Sequence, residues 1–385
     1  MSIKLRIKNF VVNSVDEYIH QRKRKSEIRK FQDSRRIAIY SQISLSKEQE
    51  AQIDDVYVKN YGEKIPYTWH RHYTAFTGNF DPYYFPELLF IPEFERYMIE
   101  KRDYGYARVF NDKNILPLLA NAANVVMPHA FFSCANGYVY DEQQQYITIN
   151  KIKDISGEYF VKPTVGSSSG TGCQIVNLTN GIDEKTGKNI TDILNSKGDN
   201  WVIQNRVKCN KSISDIYPDG VNTFRIMTYL WNGIIHHAPI ILRIGQGGSY
   251  LDNAHAGGMF IALEDDGTLH HKAFTEFRTV FTEHPDTHLK FEGYKIPLLP
   301  KVIQAAVRCH SLIPQLGCIN WDFTLNEQGL PLLIEANMGA AGIWIFEMAH
   351  GKGPFGELTP EILQWLRVMN RTKKTERINK SRLML

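Results

Sequence analysis

From Phe160 to Gly172 the chain reads Phe-Val-Lys-Pro-Thr-Val-Gly-Ser-Ser-Ser-Gly-Thr-Gly. A short apolar strand here carries one lysine, Lys162, and a flexible run of glycine and serine follows at once. Such a loop can offer several backbone N–H groups to a phosphate chain while the lysine offers a positive charge. The loop lacks the Gly-Lys-Ser/Thr ending that closes a Walker-type phosphate loop before a helix. The segment therefore predicts that ATP is held in another way.

A second informative segment places two acidic residues on a predicted β-hairpin. The strands are 318–325 and 330–337, joined by the turn residues 326–329. If the strand ends pair directly, Asp322 lies opposite Leu333, diagonal to Glu335, and Asn337 follows on the same face. Diagonal neighbours lie roughly 7–8 Å apart, a gap that suits carboxylates holding Mg²⁺. The alternative is a half-exposed hairpin with two ordinary surface acids.

The composition is that of an ordinary soluble globular protein. Of the 385 residues, 43% are hydrophobic and 22% are charged, and this length predicts two or three compact units. The net charge of +4 is too small to predict nucleic-acid binding. The five cysteines are scattered, and the N-terminus lacks a signal-peptide pattern. We therefore expect reduced thiols and a cytoplasmic location.

Residues 1–60 are predicted to form a helical, basic N-terminal extension. Apolar residues recur at helical spacing, and a basic block runs from Arg22 to Arg36. Three interpretations stay open: a solvated helix that packs on the main body, a peripheral contact with the anionic inner face of a membrane, and RNA binding. The apolar stripe consists of Phe10, Val11, Val15, Tyr18 and Ile19.

Residues 61–137 form a region rich in aromatic residues. We expect the segment from about 60 to 100 to be irregular and well packed, either as a cap or as a platform for a sugar. His70 and His72 alternate on a predicted extended segment and could bind a metal, although the sequence shows no third ligand nearby.

Two strand-rich units and a tail complete the chain. Residues 138–207 are predicted to form a small α+β unit, residues 208–370 a larger one, and residues 371–385 a frayed basic tail. Predicted helices cover 112–122 (capped by Asn111 or Asp112), 190–195, 299–312 and 361–369. Predicted strands cover 125–132, 138–140, 146–149, 158–162, 172–178, 201–207, 221–231, 234–244, 258–263, 318–325 and 331–336.

Taken together, these segments resemble the ATP-grasp superfamily, and within it the sugar-transfer-associated group. The resemblance covers roughly Tyr67 to Trp365, and its strongest parts are 161–172, 221–225, 242–258 and 321–337, in that order. It implies an α+β ATP-grasp fold in which two α+β subdomains, the small lid and the large unit, grip ATP. The helical and aromatic-rich N-terminal region precedes them.

The resemblance also implies which residues bind the nucleotide. Lys113, in Asn111-Asp112-Lys113, would contact the α-phosphate, and Lys162 would reach the α- and β-phosphates. The mobile loop over the β- and γ-phosphates would include Ser167, Ser168, Ser169, Gly170 and Gly172. The hinge strand 202–207 would read adenine through backbone groups near Gln204, Asn205 and Val207, although family hinges often carry an acidic residue where Gln204 stands.

Further residues are implied on the reacting side. Arg225 and Arg243 look like the two arginines that family strands aim at the reacting phosphate, with Asn222 on the first of these strands. Asp252-Asn253 and Gly257-Gly258 look like the loop that lines the acceptor side, with Asn253 among the catalytic residues. The metal-binding trio would be Asp322, Glu335 and Asn337, holding one or two Mg²⁺ ions.

The activity implied is that of a carboxylate–amine ligase. ATP would phosphorylate a carboxylate, and an amine would attack the acyl-phosphate to form an amide, on a sugar or amino-acid substrate in surface polysaccharide biosynthesis. Positioning and charge neutralisation dominate phosphoryl transfer, and two lysines, two arginines and a metal supply them. Candidates for a general base are Asp252 and His255, by position only. Two alternatives remain: a phosphotransferase that uses the same ATP site, and a non-enzymatic nucleotide-binding regulator.

Two further motifs are interpreted as having no chemical role. The Gly351–Gly356 segment matches G-x-G-x-x-G but lacks a preceding strand and contains a proline, so it is predicted to be a loop. The doublets His236-His237 and His270-His271 place adjacent side chains on opposite strand faces, where they make poor chelating pairs.

Overall fold

The computed structural model describes residues 3–99, 104–166, 170–250, 252–339 and 342–380. Within them the helices are α1 (Ile3–Lys30), α2 (Ser34–Tyr40), α3 (Lys47–Asn60), α4 (Thr68–Thr77), α5 (Glu87–Leu89), α6 (Glu95–Met98), α7 (Tyr104–Phe110), α8 (Leu116–Ala122), α9 (Ile190–Asn195), α10 (Lys211–Ser214), α11 (Leu299–Ser311), α12 (Trp344–His350), α13 (Thr359–Arg371) and α14 (Lys374–Lys380). A π-helical turn, Phe90–Phe94, joins α5 to α6.

The strands form two antiparallel sheets. They are β1 (Ala130–Ala135), β2 (Tyr138–Asp141), β3 (Tyr146–Ile147), β4 (Gly157–Pro163), β5 (Gln174–Thr179), β6 (Ile182–Asp183), β7 (Trp201–Asn205), β8 (Thr223–Trp231), β9 (Ile234–His237), β10 (Ile240–Ile244), β11 (Met259–Leu263), β12 (Leu269–Phe274), β13 (Val280–Phe281), β14 (Cys318–Leu325) and β15 (Pro331–Asn337). The small sheet runs β3-β2-β1-β7-β4-β5-β6, and the large sheet runs β13-β12-β11-β10-β8-β14-β15, with β9 beside β8.

Each sheet is backed by its own core. The small core gathers inward-facing residues such as Val161, Val176 and Ile203. The large core is continuous with the N-terminal helices and includes Trp69, Phe94 and Trp321. The small sheet takes in β1, which lies before residue 138, so it begins ahead of the boundary that the sequence predicts for the small unit. The division into domains stays a prediction.

The aromatic-rich region is largely helical, and the prediction of an irregular segment is wrong for α4. His70 and His72 lie on this helix rather than on an extended segment, and both are fully buried. Burial lowers the pKa of His70 to about 4 and that of His72 to about 3, so both rings are neutral at pH 7. Packed rings surround them, including Tyr57 and Tyr84 beside His70. These histidines are core residues.

Several predicted boundaries shift. The predicted helix at 112–122 begins only at Leu116, because the Asp112 carboxylate accepts a hydrogen bond from the backbone N–H of Asn114 and closes a turn first. The predicted strand 125–132 is replaced by β1 at Ala130–Ala135, and Val126 forms only an isolated bridge. The predicted frayed tail is wrong up to residue 380, where α14 forms.

Helix α1 packs through polar residues. Its buried residues are Asp16, His20 and Glu27. Asp16 pairs with Lys374 at 2.7 Å and with Arg377 at 2.5 Å, which joins α1 to α14. The predicted apolar stripe lies on the opposite, exposed side, where the Phe10 side chain is 72% exposed. The packing interface of this helix is therefore electrostatic.

Part of the basic block is committed to internal contacts. Arg24 donates to Glu93 at 2.6 Å, and Tyr61 donates to the same fully buried carboxylate at 2.9 Å. Arg36 donates to Glu276 at 3.1 Å. These arginines stabilise the fold, because a buried carboxylate needs charged or hydrogen-bonding partners. In the part of the chain that the structure describes, no helix has both the length and the apolar character that crossing a membrane requires.

Candidate functional site

The face of the small sheet is set by alternation along β4. Because neighbouring side chains point to opposite faces, Phe160 and Lys162 share one face while Val161 points into the small core. Ile175 on β5 and Gln204 on β7 pair with Phe160, so they join it on this face. One strand pattern therefore aligns a lysine with a mixed apolar and amide surface.

The face of the large sheet carries the charged residues. On β8, Thr223 and Arg225 lie on one face, and Arg243 of β10 pairs with Thr223. Arg225 pairs across the sheet with Asp322 of β14, which in turn pairs with Glu335 of β15. Directly opposed side chains on one face lie close together. Four strands therefore bring two arginines and two carboxylates into one row.

The predicted register of the hairpin is wrong by one residue at the strand ends and by two residues beyond the bulge. The strands pair Leu325 with Pro331, and a bulge between Asp322 and Phe323 then places Asp322 directly opposite Glu335 instead of opposite Leu333. A bulge inserts one extra residue into one strand and restores the common face. Asp322 is only 3% exposed, so the alternative of an ordinary surface acid does not apply to it.

The basic and acidic side chains of the row pair with one another. Arg225 donates to Asp322 through two bonds of 2.5 and 2.9 Å, and Arg243 lies 3.4 Å from the same carboxylate. Burial alone would raise the pKa of Asp322, but the Arg225 and Arg243 guanidiniums outweigh it and hold the pKa below its usual value. Asp322 is therefore ionised at pH 7.

Lys113, on the loop between α7 and α8, closes the row. Its ammonium lies 3.1 Å from Glu335, and its backbone N–H donates to the carbonyl of Thr164, just beyond β4. Two residues before Lys113, the Asn111 amide donates a hydrogen bond to the carbonyl oxygen of Met338 at 3.2 Å. It accepts another from the Met338 N–H at 3.0 Å. Asn111 thereby ties the end of β15 to the loop that carries Lys113.

Lys162 is the most strongly perturbed base of the site. Burial, together with the nearby Lys113 ammonium, lowers its pKa to about 8 from an ordinary 10.5. A buried lysine beside a second lysine is costly unless an anion approaches both. The two lysines therefore define a place for a negatively charged ligand.

A single cavity of about 690 Å³ joins these residues. Its size lies within the roughly 300–1,000 Å³ usual for small-molecule sites. Of the residues predicted from the sequence, the cavity is lined by Lys113, Lys162, Gly170, Gln204, Val207, Arg225, Arg243, Asn253, Asp322, Glu335 and Asn337. Ser167, Ser168 and Ser169 lie outside the described residues.

Three predicted binding residues do not line the cavity. Asn222 is fully buried, and its amide donates to the carbonyls of Ile213 and Tyr217 while accepting from the N–H of Gly245. It positions the start of β8, so the structure does not bring it to a ligand. Asn205 and Gly172 are also absent from the lining. A Cβ at Gly172, where φ is +77°, would approach the Pro163 ring to 2.8 Å, which explains this glycine by packing.

The structure adds an apolar wall that the sequence interpretation missed. Phe160 and Ile175 line the cavity from the small sheet, and Ile334 lines it from the large sheet. Phe160 could have been found from the period of two that relates it to Lys162. Ile334 could not, because the bulge in the hairpin decides which way it points.

His255 and Trp344 line the cavity beside the loop that is predicted to face the acceptor. Their rings lie 5.7 Å apart, and His255 Nδ1 lies 2.7 Å from Glu276, the carboxylate that Arg36 also holds. Asp252 is committed elsewhere: it accepts a hydrogen bond from Thr223 and pairs with Arg243 at 3.2 Å. Of the two predicted general-base candidates, Asp252 is paired with an arginine, whereas His255 is paired with a carboxylate.

Comparison with known proteins identifies the family of this chain. A family model described as sugar-transfer associated ATP-grasp matches residues 94–361, more than half of the chain. The chain belongs to this family. The predicted family, the α+β ATP-grasp fold and the assignment to ATP-grasp enzymes are thereby confirmed. No curated protein sequence matches the chain.

Solved structures similar to this ATP-grasp protein include ligases. An L-amino acid ligase from Bacillus licheniformis has 14% identity and a TM-score of 0.35, covering 60% of this chain and 41% of that one. A D-alanine–D-alanine ligase from Bacillus anthracis has 13% identity and a TM-score of 0.38, covering 71% and 69%. Its counterpart from Helicobacter pylori has 12% identity and a TM-score of 0.38, covering 67% and 58%. The chain thus spans less than half the length of the first, and the assignment rests on the family model.

The predicted metal trio of the ATP-grasp protein offers the donors that Mg²⁺ prefers. Asp322 and Glu335 supply carboxylate oxygens, and Glu335 is 33% exposed on the cavity side. The Asn337 amide nitrogen donates to Asp322 at 3.3 Å, so its oxygen is the atom of the amide that can bind a cation. Hard cations take oxygen ligands and usually keep water and substrate phosphate in their shell. The donor set fits a magnesium ion that arrives with ATP.

Proposed function

We propose that the protein is an ATP- and magnesium-dependent carboxylate–amine ligase that forms an amide through an acyl-phosphate. The observation that carries this proposal is the convergence of Lys113, Lys162, Arg225 and Arg243 with Asp322 and Glu335 on one cavity between two sheets. Four cations facing a cluster of carboxylates suit a triphosphate held through a metal. The family supports a sugar or amino-acid substrate in surface polysaccharide biosynthesis as the finer assignment.

The cavity lining supports one orientation of the bound ATP. Phe160, Ile175 and Ile334 provide apolar surface for the adenine ring, and the backbone near Val207 provides hydrogen-bonding groups at its edge. Lys162 and Lys113 then lie along the phosphates. Asp322, Glu335 and Asn337 would hold the magnesium, whose charge, when bound, offsets that of the phosphate oxygens.

Binding exchanges the ionic partners of the row. Arg225 is bidentate to Asp322, and Lys113 pairs with Glu335. Phosphates would offer Arg225 and Lys113 a new partner, and Asp322 and Glu335 would then be free to hold the cation. A guanidinium binds phosphate with two parallel bonds, which makes Arg225 suited to the charge of the transferring group.

The chemistry then proceeds in two displacements. A carboxylate oxygen of the substrate attacks the γ-phosphorus, the bond to the β–γ bridging oxygen breaks, and ADP leaves with the electron pair. The amine nitrogen attacks the acyl carbon, and phosphate leaves. Arg225 and Arg243 stabilise the negative charge in both steps. His255, whose Nδ1 faces Glu276, presents Nε2 as the acceptor for the proton that the amine loses.

The decisive experiment measures ADP release and product mass together. We expect ADP to form fast only when ATP, magnesium, a carboxylate and an amine are all present, with a panel of sugar acids, amino sugars and amino acids as substrates. Mass spectrometry should then detect the new amide. A phosphorylated alcohol in place of the amide would assign the phosphotransferase instead, and ATP binding without turnover across the panel would assign a regulator.

The His255→Gln variant separates the two displacements. It should keep ADP formation, trapped as a hydroxamate when hydroxylamine is added to the acyl-phosphate, and slow amide formation with the natural amine about 100-fold. Equal rates of amide formation in wild type and variant would remove His255 from this role.

The exposed side of α1 supports a peripheral position on an anionic membrane. Between Ile3 and Val15 the sequence contains no acidic residue, and the apolar stripe is flanked by the basic residues Lys4, Arg6 and Lys8. Within the stripe Phe10, Val11 and Tyr18 are exposed, and Ile3 and Ile7, nearer the start of α1, are exposed as well. Apolar residues flanked by positive charge bind the headgroup region of anionic bilayers.

Vesicle sedimentation tests this position. The protein should bind phosphatidylglycerol vesicles at least about tenfold more tightly than phosphatidylcholine vesicles. The double variant Ile7→Glu, Phe10→Glu should lose this binding, whereas Val58→Glu, at an exposed site on α3, should keep it. Equal binding to the two lipids, or full binding by the double variant, would contradict the proposal.

A further inference from the structure

Two histidines and a glutamate lie together outside the ATP cavity. Glu264 follows β11, His270 lies on β12, and His350 ends α12. One ligand-type atom from each side chain lies within 4.8 Å of the others. None of the three lines the cavity of the proposed active site. The sequence had shown only the doublet His270-His271, and the fold supplies His350 as the second imidazole.

His350 is held in the orientation of a metal ligand. Its Nε2 lies 2.7 Å from the carbonyl oxygen of Ile240. A carbonyl can only accept, so Nε2 carries the proton and Nδ1 carries the lone pair. His350 is 5% exposed, and Nδ1 is buried without a hydrogen-bond partner. Metal-bound histidines usually donate their other ring nitrogen to a carbonyl or carboxylate in this way.

The protonation state of His350 also suits a metal. Burial lowers the pKa of this imidazole to about 3. The ring is therefore neutral at pH 7, and metal binding need not compete with a proton. A buried nitrogen lone pair without a donor is costly, and a cation would satisfy it.

His270 and Glu264 supply the solvent-facing half of the cluster. His270 Nε2 lies 2.7 Å from Glu264 Oε1. Their side chains are 30% and 54% exposed, so both can turn and an ion can enter from solvent. Ligand atoms of a tetrahedral zinc site lie about 3.4 Å apart, given bonds of about 2.0–2.1 Å. The three atoms therefore need only a small movement to close around an ion.

We propose that Glu264, His270 and His350 form a site for a first-row divalent transition metal of the zinc type. Two imidazoles and one carboxylate are a donor set that such ions favour over Mg²⁺ or Ca²⁺, with water completing the tetrahedron. The site ties the last residue of α12 to the β11–β12 connection. The first residue of the same helix, Trp344, lines the ATP cavity. The ion would thus fix the helix that forms the acceptor wall.

One nearby charge opposes the cation and provides a sharp test. The Lys352 ammonium acts on both Glu264 and His350. Replacing it by methionine removes this repulsion. The variant Lys352→Met should therefore bind the metal more tightly than the wild type, by roughly two- to fivefold, because Lys352 is exposed and its charge is screened by solvent.

The test uses tag-free protein that has been treated with chelator and dialysed. Titration with ZnCl₂ by calorimetry should show one tight equivalent, and CoCl₂ should produce the visible absorption of a four- or five-coordinate ion. His270→Gln and Glu264→Gln, both at partly exposed positions, should weaken Zn²⁺ binding at least 30-fold and leave the fold intact by circular dichroism. His271→Gln, on the opposite face of β12, should bind as the wild type does.

The outcomes decide the proposal without reference to ligase activity. Loss of binding in His270→Gln but not in His271→Gln supports the site, and Zn²⁺ should raise the melting temperature only in proteins that bind it. Equal Zn²⁺ affinity of His270→Gln and wild type would overturn the proposal. So would a wild type that takes up no zinc. A cobalt spectrum of an octahedral ion would also contradict the tetrahedral donor set.

Discussion

The Arg225→Met variant is expected to lower kcat/KM for ligation at least about 1,000-fold, the size of effect that a transition-state arginine has in phosphoryl transfer. Arg225 lies in the middle of the charged row and donates two parallel hydrogen bonds to the Asp322 carboxylate. The loss should fall mainly on kcat, because the arginine acts on charge that develops in the transition state. Steady-state ADP release with the substrate pair found active measures it.

The Arg225→Lys variant is the matched control. It keeps the charge beside Asp322 but offers no two-pronged contact, so we expect it to recover only a small part of the lost rate. Melting temperatures of both variants should be compared with the wild type, because an unpaired Asp322 is costly where the carboxylate is buried. Wild-type kcat in a folded Arg225→Met protein would remove this residue from the mechanism.

The Lys162→Met variant should bind ATP more weakly than the wild type and should be more stable when no ATP is bound. The ammonium lines the cavity, and the proposed function places it beside the phosphates, so we expect the Kd for Mg·ATP to rise about 100-fold, which corresponds to about 2.7 kcal/mol. Calorimetry or the ATP-dependent rise in melting temperature measures it. Without ATP, the variant should melt at a temperature a few degrees above that of the wild type at pH 7.

The gain in stability follows from the lowered pKa of Lys162. The unfolded chain holds this proton up to about pH 10.5, and the folded protein only up to about pH 8. The buried charge therefore costs stability in full below pH 8, roughly 3 kcal/mol, and the cost fades as the pH rises from 8 to 10.5. The advantage of Lys162→Met over the wild type should shrink between pH 7 and pH 9.5. A constant advantage, or none at pH 7, would contradict the assigned cause.

Much of the site could be predicted because strand alternation is a local rule. The period of two puts Lys162 on the face opposite to Val161, and it groups Asp322, Glu335 and Asn337 on one face of a hairpin. The three residues share a face even though the predicted register was wrong. The bulge near Asp322 shifts the pairing by one further residue and so returns Glu335 to the face of Asp322. The lysine, arginine and carboxylate types themselves indicate phosphate and magnesium.

Other features could not be predicted from the sequence, because they depend on contacts between distant segments. Asn222 looks like a binding residue beside Arg225, yet the carbonyls of Ile213 and Tyr217 take its amide. His70 and His72 look like extended-strand ligands, yet α4 buries both in the aromatic core. Residue type indicates which chemistry is available, and only packing decides whether a ligand or the protein itself uses it.

The sequence by itself determined the strands that carry the site residues and the inventory of charged groups, because hydrophobic periodicity and turn residues act over short distances along the chain. The ATP-grasp architecture followed from the resemblance of the ordered segments to that superfamily. Only the tertiary structure decided which opposite charges meet, through the cross-sheet pairing of β8 with β14 and the bulge between Asp322 and Phe323. It also brought His350 to His270, two residues 80 positions apart. Such meetings depend on the register and layering of whole elements, which no local pattern specifies.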